Sequence, residues 1–194
     1  MNVLGLSGSL RVGSFNTALL EATRELLPPQ ARLEIYAGLA AVPPYSEDRD
    51  RGLPPSAVVE LRRALAAADA LLIATPEYNG SVPGALKNAL DWASRPFPAN
   101  ALRDKPTAVV GASTGMFGAV WAQAELRKVL RTCGARVLEC ELAVANAADT
   151  LAADTPLERQ DRNLLSAVVE ELILALEPTQ PVAGRPLGGD ALVT

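Results

Sequence analysis

The sequence feature that most constrains the fold is the stretch Ala70–Ser94. Its apolar start, Ala70 to Ala74, shows no polar alternation, which predicts a strand buried on both faces, as in a parallel sheet. Pro76 lacks a backbone donor and ends this strand, whereas Gly80 lets the main chain come close to a flat group. We therefore expect the polar segment 76–80, called the elbow below, to contact a ligand rather than only connect a strand to a helix.

Five strand patterns alternate with helical patterns along the chain, which indicates an α/β fold. The first, third and fourth strands are apolar on both faces and are predicted to be central, whereas the second and fifth alternate and are predicted to lie at the edges. Right-handed crossovers then allow the order 2-1-3-4-5, a flavodoxin-like three-layer α/β/α fold with a five-stranded parallel sheet. The predicted strands are Asn2–Leu6, Arg32–Tyr36, the run from Ala70, Thr107–Ala112 and Arg136–Leu142.

The helical patterns fill the segments between these strands. Residues 38–55, with four prolines, are predicted to form a loop instead, and Arg62 and Arg63 on the helix that follows are predicted to face water. The predicted helices are 15–27, 56–68, one that begins at 81–83, 118–131, and a last one that opens with a capping box at Thr155–Glu158.

Length and composition predict one globular domain, 1–177, followed by a Pro- and Gly-rich tail, 178–194, that we expect to be disordered. Hydrophobic residues make up 49% of the chain, which excludes a mainly disordered protein. The net charge of −4 gives no reason to expect a nucleic-acid partner. No signal-peptide pattern and no run of about 18 apolar residues are present, so we expect a cytoplasmic protein without a membrane partner.

Cysteine and histidine usage narrows the chemistry. Cys133 and Cys140 do not form a CxxC motif and are expected to be reduced and to act as small buried hydrophobic residues. The chain has no histidine, so Ser7, in a segment that superficially resembles a nucleophile elbow, has no imidazole base. A hydrolase is therefore excluded, and no metal site is expected.

Three unusual loops follow the first, third and fourth strands: 7–16, the elbow, and 113–118. In the predicted strand order the winding direction reverses between strands one and three, and ligands bind beyond the carboxyl ends of the strands at such a switch point. We therefore expect these three loops to form one ligand site.

The first loop has the groups that bind a phosphate. It carries hydroxyls at positions 7, 9 and 14, the cation of Arg11, the amide of Asn16 and a helix start. A Ser-rich turn that only caps the helix is the alternative. Ser14-Phe15 stands where a nucleoside-triphosphate loop needs Lys-Ser/Thr, and GxGxxG is absent, so a monophosphate fits best. With the Tyr78 ring for a flat heterocycle and Ser113–Gly115 opposite, the loops match the parts of FMN.

Three motifs carry a family resemblance: GSLRVGSFN at Gly8–Asn16, TPEYNGSVPGALKNALDW at Thr75–Trp92 and, less closely, ASTGMFGA at Ala112–Ala119. Over about residues 2–175 the chain resembles the NADPH-dependent FMN reductases, the flavodoxin-like group that includes bacterial quinone, azo-dye and chromate reductases. Gly118-Ala119 departs from the Gly-Gly of many members.

The resemblance implies a role for each matching residue. Those expected at the FMN phosphate and ribityl chain are Ser9, Arg11, Ser14, Phe15 and Asn16. Those expected at the isoalloxazine ring are Pro76, Glu77, Tyr78, Asn79 and Gly80 on one side and Ser113 and Gly115 on the other.

The resemblance also implies a reaction, in which NADPH or NADH reduces bound FMN, which then reduces a quinone or another electrophilic small-molecule acceptor. No side chain is needed as an essential acid or base, and we expect Glu77 to fix the elbow by hydrogen bonds rather than to act in the chemistry. Trp92 and Trp121 are expected in the core or at subunit contacts, in a homodimer or homotetramer. A flavodoxin-type electron carrier and a non-enzymatic flavin-binding regulator are the alternatives.

Overall fold

The computed structural model describes residues 1–151 and 157–177 of the 194-residue chain. The expected disordered tail, 178–194, lies outside the described residues, as do Thr155 and Pro156 of the predicted capping box. No helix within the described residues is long and apolar enough to cross a membrane.

Six strand segments of the described residues form one parallel sheet. They are β1 (Asn2–Ser7), β2 (Arg32–Ile35), β3 (Ala70–Thr75), β4 (Pro106–Ala112), β5 (Arg136–Val137) and β6 (Ala143–Val144). The order is β2-β1-β3-β4-β5, with β6 also paired to β4, so the predicted flavodoxin-like order is confirmed. The helices are α1 (Phe15–Thr23), α2 (Glu47–Arg51), α3 (Ser56–Ala67), α4 (Gly84–Ala93), α5 (Val120–Thr132), α6 (Ala147–Thr150) and α7 (Arg159–Leu174).

The sheet separates two apolar layers, and this explains the uniformly apolar central strands. Side chains on a strand alternate between the two faces of its sheet. Leu71 and Ile73 of β3 accordingly pack with α3, α4 and α5, whereas Leu72 and Ala74 pack with α1 and α7. Every residue of β3 and β4 is buried, as the absence of polar alternation predicts.

The predicted loop 38–55 contains two short helical segments, which its proline content did not predict. It includes a 3₁₀ turn, Leu39–Ala41, and the short helix α2. Arg62 is half-buried rather than water-facing, because its Nη2 donates to Asp50 Oδ1 at 2.7 Å and to Trp92 O at 2.8 Å. The guanidinium thus ties α2 to α3 and α4, a contact between distant segments that helical periodicity does not contain.

The first helix is shorter than predicted. α1 ends at Thr23 rather than at residue 27, and the N–H of Leu26 bonds to Thr23 O in a tighter, three-residue turn. Pro28 disfavours helical geometry at the residue before it, so the chain leaves the helix early.

The prediction of a single fifth strand is wrong, because Arg136–Leu142 is not one strand. β5 pairs Val137 with Thr107, and β6 pairs Ala143 with Gly111. The step from 107 to 111 on β4 is therefore matched by the longer step from 137 to 143, so the outer chain carries two extra residues in a bulge.

An arginine from α5 fills the gap that this bulge leaves. Arg127 is 5% exposed, and its Nη2 donates to Val109 O at 2.9 Å and to Cys140 O at 3.0 Å. These carbonyls would otherwise lie unpaired between the two short strands, at a cost of about 1–3 kcal/mol each. The predicted edge position of the fifth strand is confirmed, but an alternating pattern carries no signal of the interruption.

Candidate functional site

A cavity of about 490 Å³ lies beyond the carboxyl ends of β1, β3 and β4, where the three loops meet. The residues that line this rim cavity are Ser9, Arg11, Ser14, Phe15, Asn16, Pro76, Glu77, Tyr78, Ala112, Ser113, Thr114 and Ala148. Nine of the twelve residues predicted for the site are among them. The other three, Asn79, Gly80 and Gly115, are exposed and do not line it.

The first loop ends in the N-terminus of α1, which Ser14 caps. Its Oγ accepts the Thr17 N–H at 3.3 Å, and the first intrahelical bond runs from Ala18 N to Ser14 O at 2.9 Å. The N–H groups of Phe15 and Asn16 precede these bonds, and such groups at a helix start favour an anion.

Arg11 supplies the positive charge of the first loop. It is exposed, its Nη2 donates to Gly13 O at 2.6 Å, and its guanidinium lies 4.8 Å from the centre of the Phe15 ring. Ser9 Oγ accepts the Arg11 N–H at 3.4 Å. The side chain is thus held beside the N-terminus of α1 while keeping most of its donors exposed.

The side-chain amide of Asn16 makes both of its hydrogen bonds to the main chain of β4. Its Nδ2 donates to Ala112 O at 2.9 Å, and its Oδ1 accepts the Ala112 N–H at 3.0 Å. The amide, 2% exposed, therefore joins the start of α1 to the end of β4 as a strand residue would. In the rim cavity it is the main chain of Asn16, rather than its side chain, that is available to a ligand.

Asn79 and Gly80 form a turn. Tyr78 and Ser81 exchange two main-chain hydrogen bonds, of 3.1 and 3.2 Å, as the ends of a two-residue hairpin. The φ angles of Asn79 and Gly80 are 53° and 74°, as a type I′ turn requires, and Asn-Gly is the preferred dipeptide for it. The Asn-Gly dipeptide is thus a turn signal, whereas the sequence analysis predicts a ligand contact for this segment.

Glu77 hydrogen-bonds to the main chain of α5. Its Oε2 accepts the N–H groups of Trp121 and Ala122, each at 3.1 Å. The carboxylate thus caps the start of α5, and the structure agrees with the expectation that it fixes the elbow.

The third loop is held by the Ser113 side chain and by Asn146 at the start of α6. Ser113 Oγ accepts the Gly115 N–H at 3.1 Å, and Asn146 N donates to Gly115 O at 3.1 Å. Ala148 of α6 also lines the cavity, and no sequence pattern predicts this contact. Ala119 adopts a left-handed φ of 64° where many members of the resembled family have glycine.

The two tryptophans differ in environment. Trp92 is fully buried in the core, whereas Trp121 is 53% exposed beside Phe117, their ring centres 4.9 Å apart. Both cysteines are free and half-buried. Within residues 1–151 and 157–177 no group of three His, Cys, Asp or Glu side chains could hold a metal ion.

The donor set of the rim cavity fits FMN. The N–H groups at the start of α1, the Ser9 hydroxyl and Arg11 suit a phosphate. Among the described residues that line the cavity, Glu77 has the one carboxylate, and α5 holds it. Tyr78, half exposed, offers a ring for a flat heterocycle.

The strand order together with this cavity at the switch point defines a flavodoxin-like protein with a mononucleotide-type site. The sequence pattern of the family described as NADPH-dependent FMN reductase matches residues 1–149, and the chain belongs to this family of flavin oxidoreductases.

Individual relatives agree with this assignment. An NAD(P)H-dependent FMN reductase from Pseudomonas aeruginosa is 51% identical over 131 residues, 67% of this chain and 69% of the relative. A quinone reductase from Pseudomonas putida is 37% identical over 84% of this chain and 88% of its own length. The solved structure of a flavoenzyme NAD(P)H:(acceptor) oxidoreductase from Paracoccus denitrificans superposes with a TM-score of 0.81 at 32% identity, covering 90% of this chain and 96% of that one.

Proposed function

We propose that this chain is an FMN-dependent oxidoreductase that passes reducing equivalents from NADPH or NADH to a quinone or a similar electrophilic acceptor. The family assignment and the quinone reductase relatives support the acceptor class, to which azo compounds, chromate and free flavin also belong. The observation on which the proposal most depends is the rim cavity, because its position at the switch point and its donors suit one mononucleotide.

In this proposal the first loop binds the phosphate and the ribityl chain. The N–H groups of Phe15 and Asn16 and the Ser9 hydroxyl donate to the phosphate oxygens, and Arg11 neutralises its charge. Ser14 contributes by capping α1.

The elbow and the third loop enclose the isoalloxazine ring. Pro76, Glu77 and Tyr78 lie along one side, and the Asn79-Gly80 turn sets their geometry. Ser113 approaches the other edge, and Gly115, which does not itself line the cavity, holds this loop in shape by donating its N–H to Ser113 Oγ.

Bound FMN supplies the hydride and electron chemistry, and the protein supplies position and electrostatics. Main-chain N–H groups of the elbow can stabilise negative charge on the ring, although the N–H of Tyr78 is already used by Ser81 O. The chain contains no histidine, and no lining side chain is needed as a proton carrier.

The exposed aromatic residues suggest that the protein assembles, and we propose a cytoplasmic homodimer or homotetramer. Phe97 is 62% exposed and Trp121 is 53% exposed, and both would be buried at a subunit contact. Light scattering at micromolar concentration tests this, and a monomer would remove the proposal.

Spectroscopy and turnover test the function directly. The purified protein, reconstituted with FMN and freed of excess flavin, should show flavin absorbance at about one flavin per chain. It should then oxidise NADPH or NADH when a benzoquinone is supplied. Bound flavin without nicotinamide oxidation would indicate an electron carrier or a regulator, and an absence of bound flavin would contradict the proposed site.

A further inference from the structure

Two carboxylates join the elbow region to α5 in opposite directions. Glu77 extends from the elbow to the N–H groups of Trp121 and Ala122 at the start of the helix. Glu125 extends back from the next turn of the helix, and its Oε2 accepts the Ser81 hydroxyl at 2.6 Å and the Val82 N–H at 3.3 Å. We call these two side chains the carboxylate clamp.

The start of α5 depends on Glu77 because its own sequence provides no cap. The residue at the cap position is Ala119, in a left-handed conformation and without a side-chain hydrogen bond. The first N–H groups of a helix need a partner and carry a partial positive charge, so a carboxylate there is favourable in two ways. The partner comes from 44 residues earlier in the chain, on the segment proposed to face the flavin.

The second carboxylate holds the far side of the same hairpin. Ser81 closes the turn by its two main-chain bonds to Tyr78, so Glu125 fixes the strand that returns from the turn. Its hydrogen bonds to Ser81 and Val82 lower the pKa of the Glu125 carboxyl below its ordinary value, and the group accepts both bonds as an anion. The turn is therefore fixed to one helix before and after Asn79-Gly80.

We propose that Glu77 and Glu125 are positioning residues that act as one unit, holding the elbow at a fixed distance from α5 and so setting the main-chain surface that faces the isoalloxazine ring. This inference rests on the proposed function for the flavin, but the clamp itself is a contact between residues of this chain. Neither carboxylate moves a proton or touches an acceptor in this role.

Amide exchange in the flavin-free protein tests the clamp without any turnover. In Glu77→Gln the Trp121 and Ala122 amides should exchange about threefold to tenfold faster, because the neutral side chain interacts more weakly with the helix start. In Glu125→Gln the Val82 amide should respond in the same way. Glu139→Gln is the matched control, since Glu139 is exposed and pairs with Arg131, away from the elbow.

The flavin provides the second readout. Each Gln variant should bind FMN about threefold to tenfold more weakly than wild type and shift the visible absorption bands of the bound flavin, whereas Glu139→Gln should do neither. Because both carboxylates hold one turn, the double variant should weaken FMN binding by clearly less than the product of the two single effects. Thermal unfolding of each variant identifies any loss that comes from misfolding, and Glu77→Asp supplies a conservative second variant that should recover part of the affinity.

These outcomes separate the inference from the proposed function. If wild type binds FMN but the two Gln variants match Glu139→Gln in exchange, affinity and spectrum, the clamp is wrong and the proposed function stands. If the single effects on FMN binding multiply, the two carboxylates do not act as one unit, and the proposal is overturned. If wild type fails to bind FMN, the proposed function is wrong, and amide exchange still decides whether the clamp holds the elbow.

Discussion

Arg11 and Arg127 show how differently two regions of this molecule use the same side chain. Arg11 lies at the rim cavity, exposed, with Gly13 O as the acceptor for its guanidinium among the described residues. Arg127 is buried beside the bulge of the fifth strand, where its Nη2 donates to Val109 O and Cys140 O. The Arg11 guanidinium keeps most of its donors available, whereas Nη2 of Arg127 is used by two main-chain carbonyls.

Arg127 is a buried cation with little charge compensation. Burial lowers the pKa of the Arg127 guanidinium, and its nearest carboxylate, Glu141, is 3.7 Å away and mostly exposed. Its Nε has no hydrogen-bond partner among the described residues. A buried cation with so little charge compensation stabilises the fold by donating hydrogen bonds to carbonyls that would otherwise be unpaired. The two arginines show that a polar side chain indicates a ligand site only where its donors are not already bonded within the protein.

The largest expected effect is on stability, at the bulge. Arg127→Met keeps much of the side-chain volume but leaves Val109 O and Cys140 O without a donor, so the free energy of unfolding should fall by about 3 kcal/mol. Chemical denaturation measures this. Arg131→Met, one turn along the same helix, removes only an exposed pair with Glu139 and should cost less than about 1 kcal/mol. Equal losses in the two variants would show that the bulge does not depend on Arg127.

The next largest effect is on binding, at the rim. Arg11→Ala should weaken FMN binding about tenfold to a hundredfold, because a charge-assisted hydrogen bond is worth about 1.5–3 kcal/mol. Its stability should change little, since the side chain is exposed. Flavin fluorescence titration measures the affinity. Arg63→Ala, an exposed arginine on α3 near the opposite ends of the strands, is the control, and full FMN affinity in Arg11→Ala would place the phosphate elsewhere.

Much of the rim could be predicted from the sequence because its determinants are local. Uninterrupted apolar runs identify the central strands, and the loops after parallel strands must meet at one edge of the sheet. Helix-start residues such as Ser14 and Asn16 then predict an anion site beside the first strand. Nine predicted residues accordingly line one cavity.

The remaining features depend on contacts between distant segments. The alternation in 136–142 indicates which face of the sheet each side chain occupies. The strand register depends instead on pairing with β4 and on Arg127 from α5. Glu125 approaches Ser81 across 44 positions of sequence, and Ala148 approaches the cavity from a helix of four residues. No periodicity encodes such pairs.

A smaller effect is expected at the turn of the elbow. Gly80 has a φ of 74°, and a Cβ there would meet nothing within 4 Å, so Gly80→Ala should cost about 1 kcal/mol through backbone conformation alone. Gly84→Ala is a matched control, because Gly84 lies in α4 with equally open space and no such φ, and it should be neutral or slightly stabilising. Thermal unfolding compares the two, and an equal response would argue against the type I′ turn.

The last effect concerns reactivity rather than stability or binding: the Cys140 thiol at the bulge should react far more slowly than an ordinary thiol, whereas the donors of Arg11 at the rim are exposed. Burial, with Glu171 nearby, raises the pKa of the Cys140 thiol to about 12. A raised pKa keeps the thiol neutral, so at pH 8 alkylation in a Cys133→Ser background should be about a thousandfold slower than for a thiol of pKa 9. The rate should rise about tenfold for each pH unit until the pH approaches that pKa. Denaturant should restore ordinary reactivity, and rapid labelling of the native protein would show that the bulge is open to solvent.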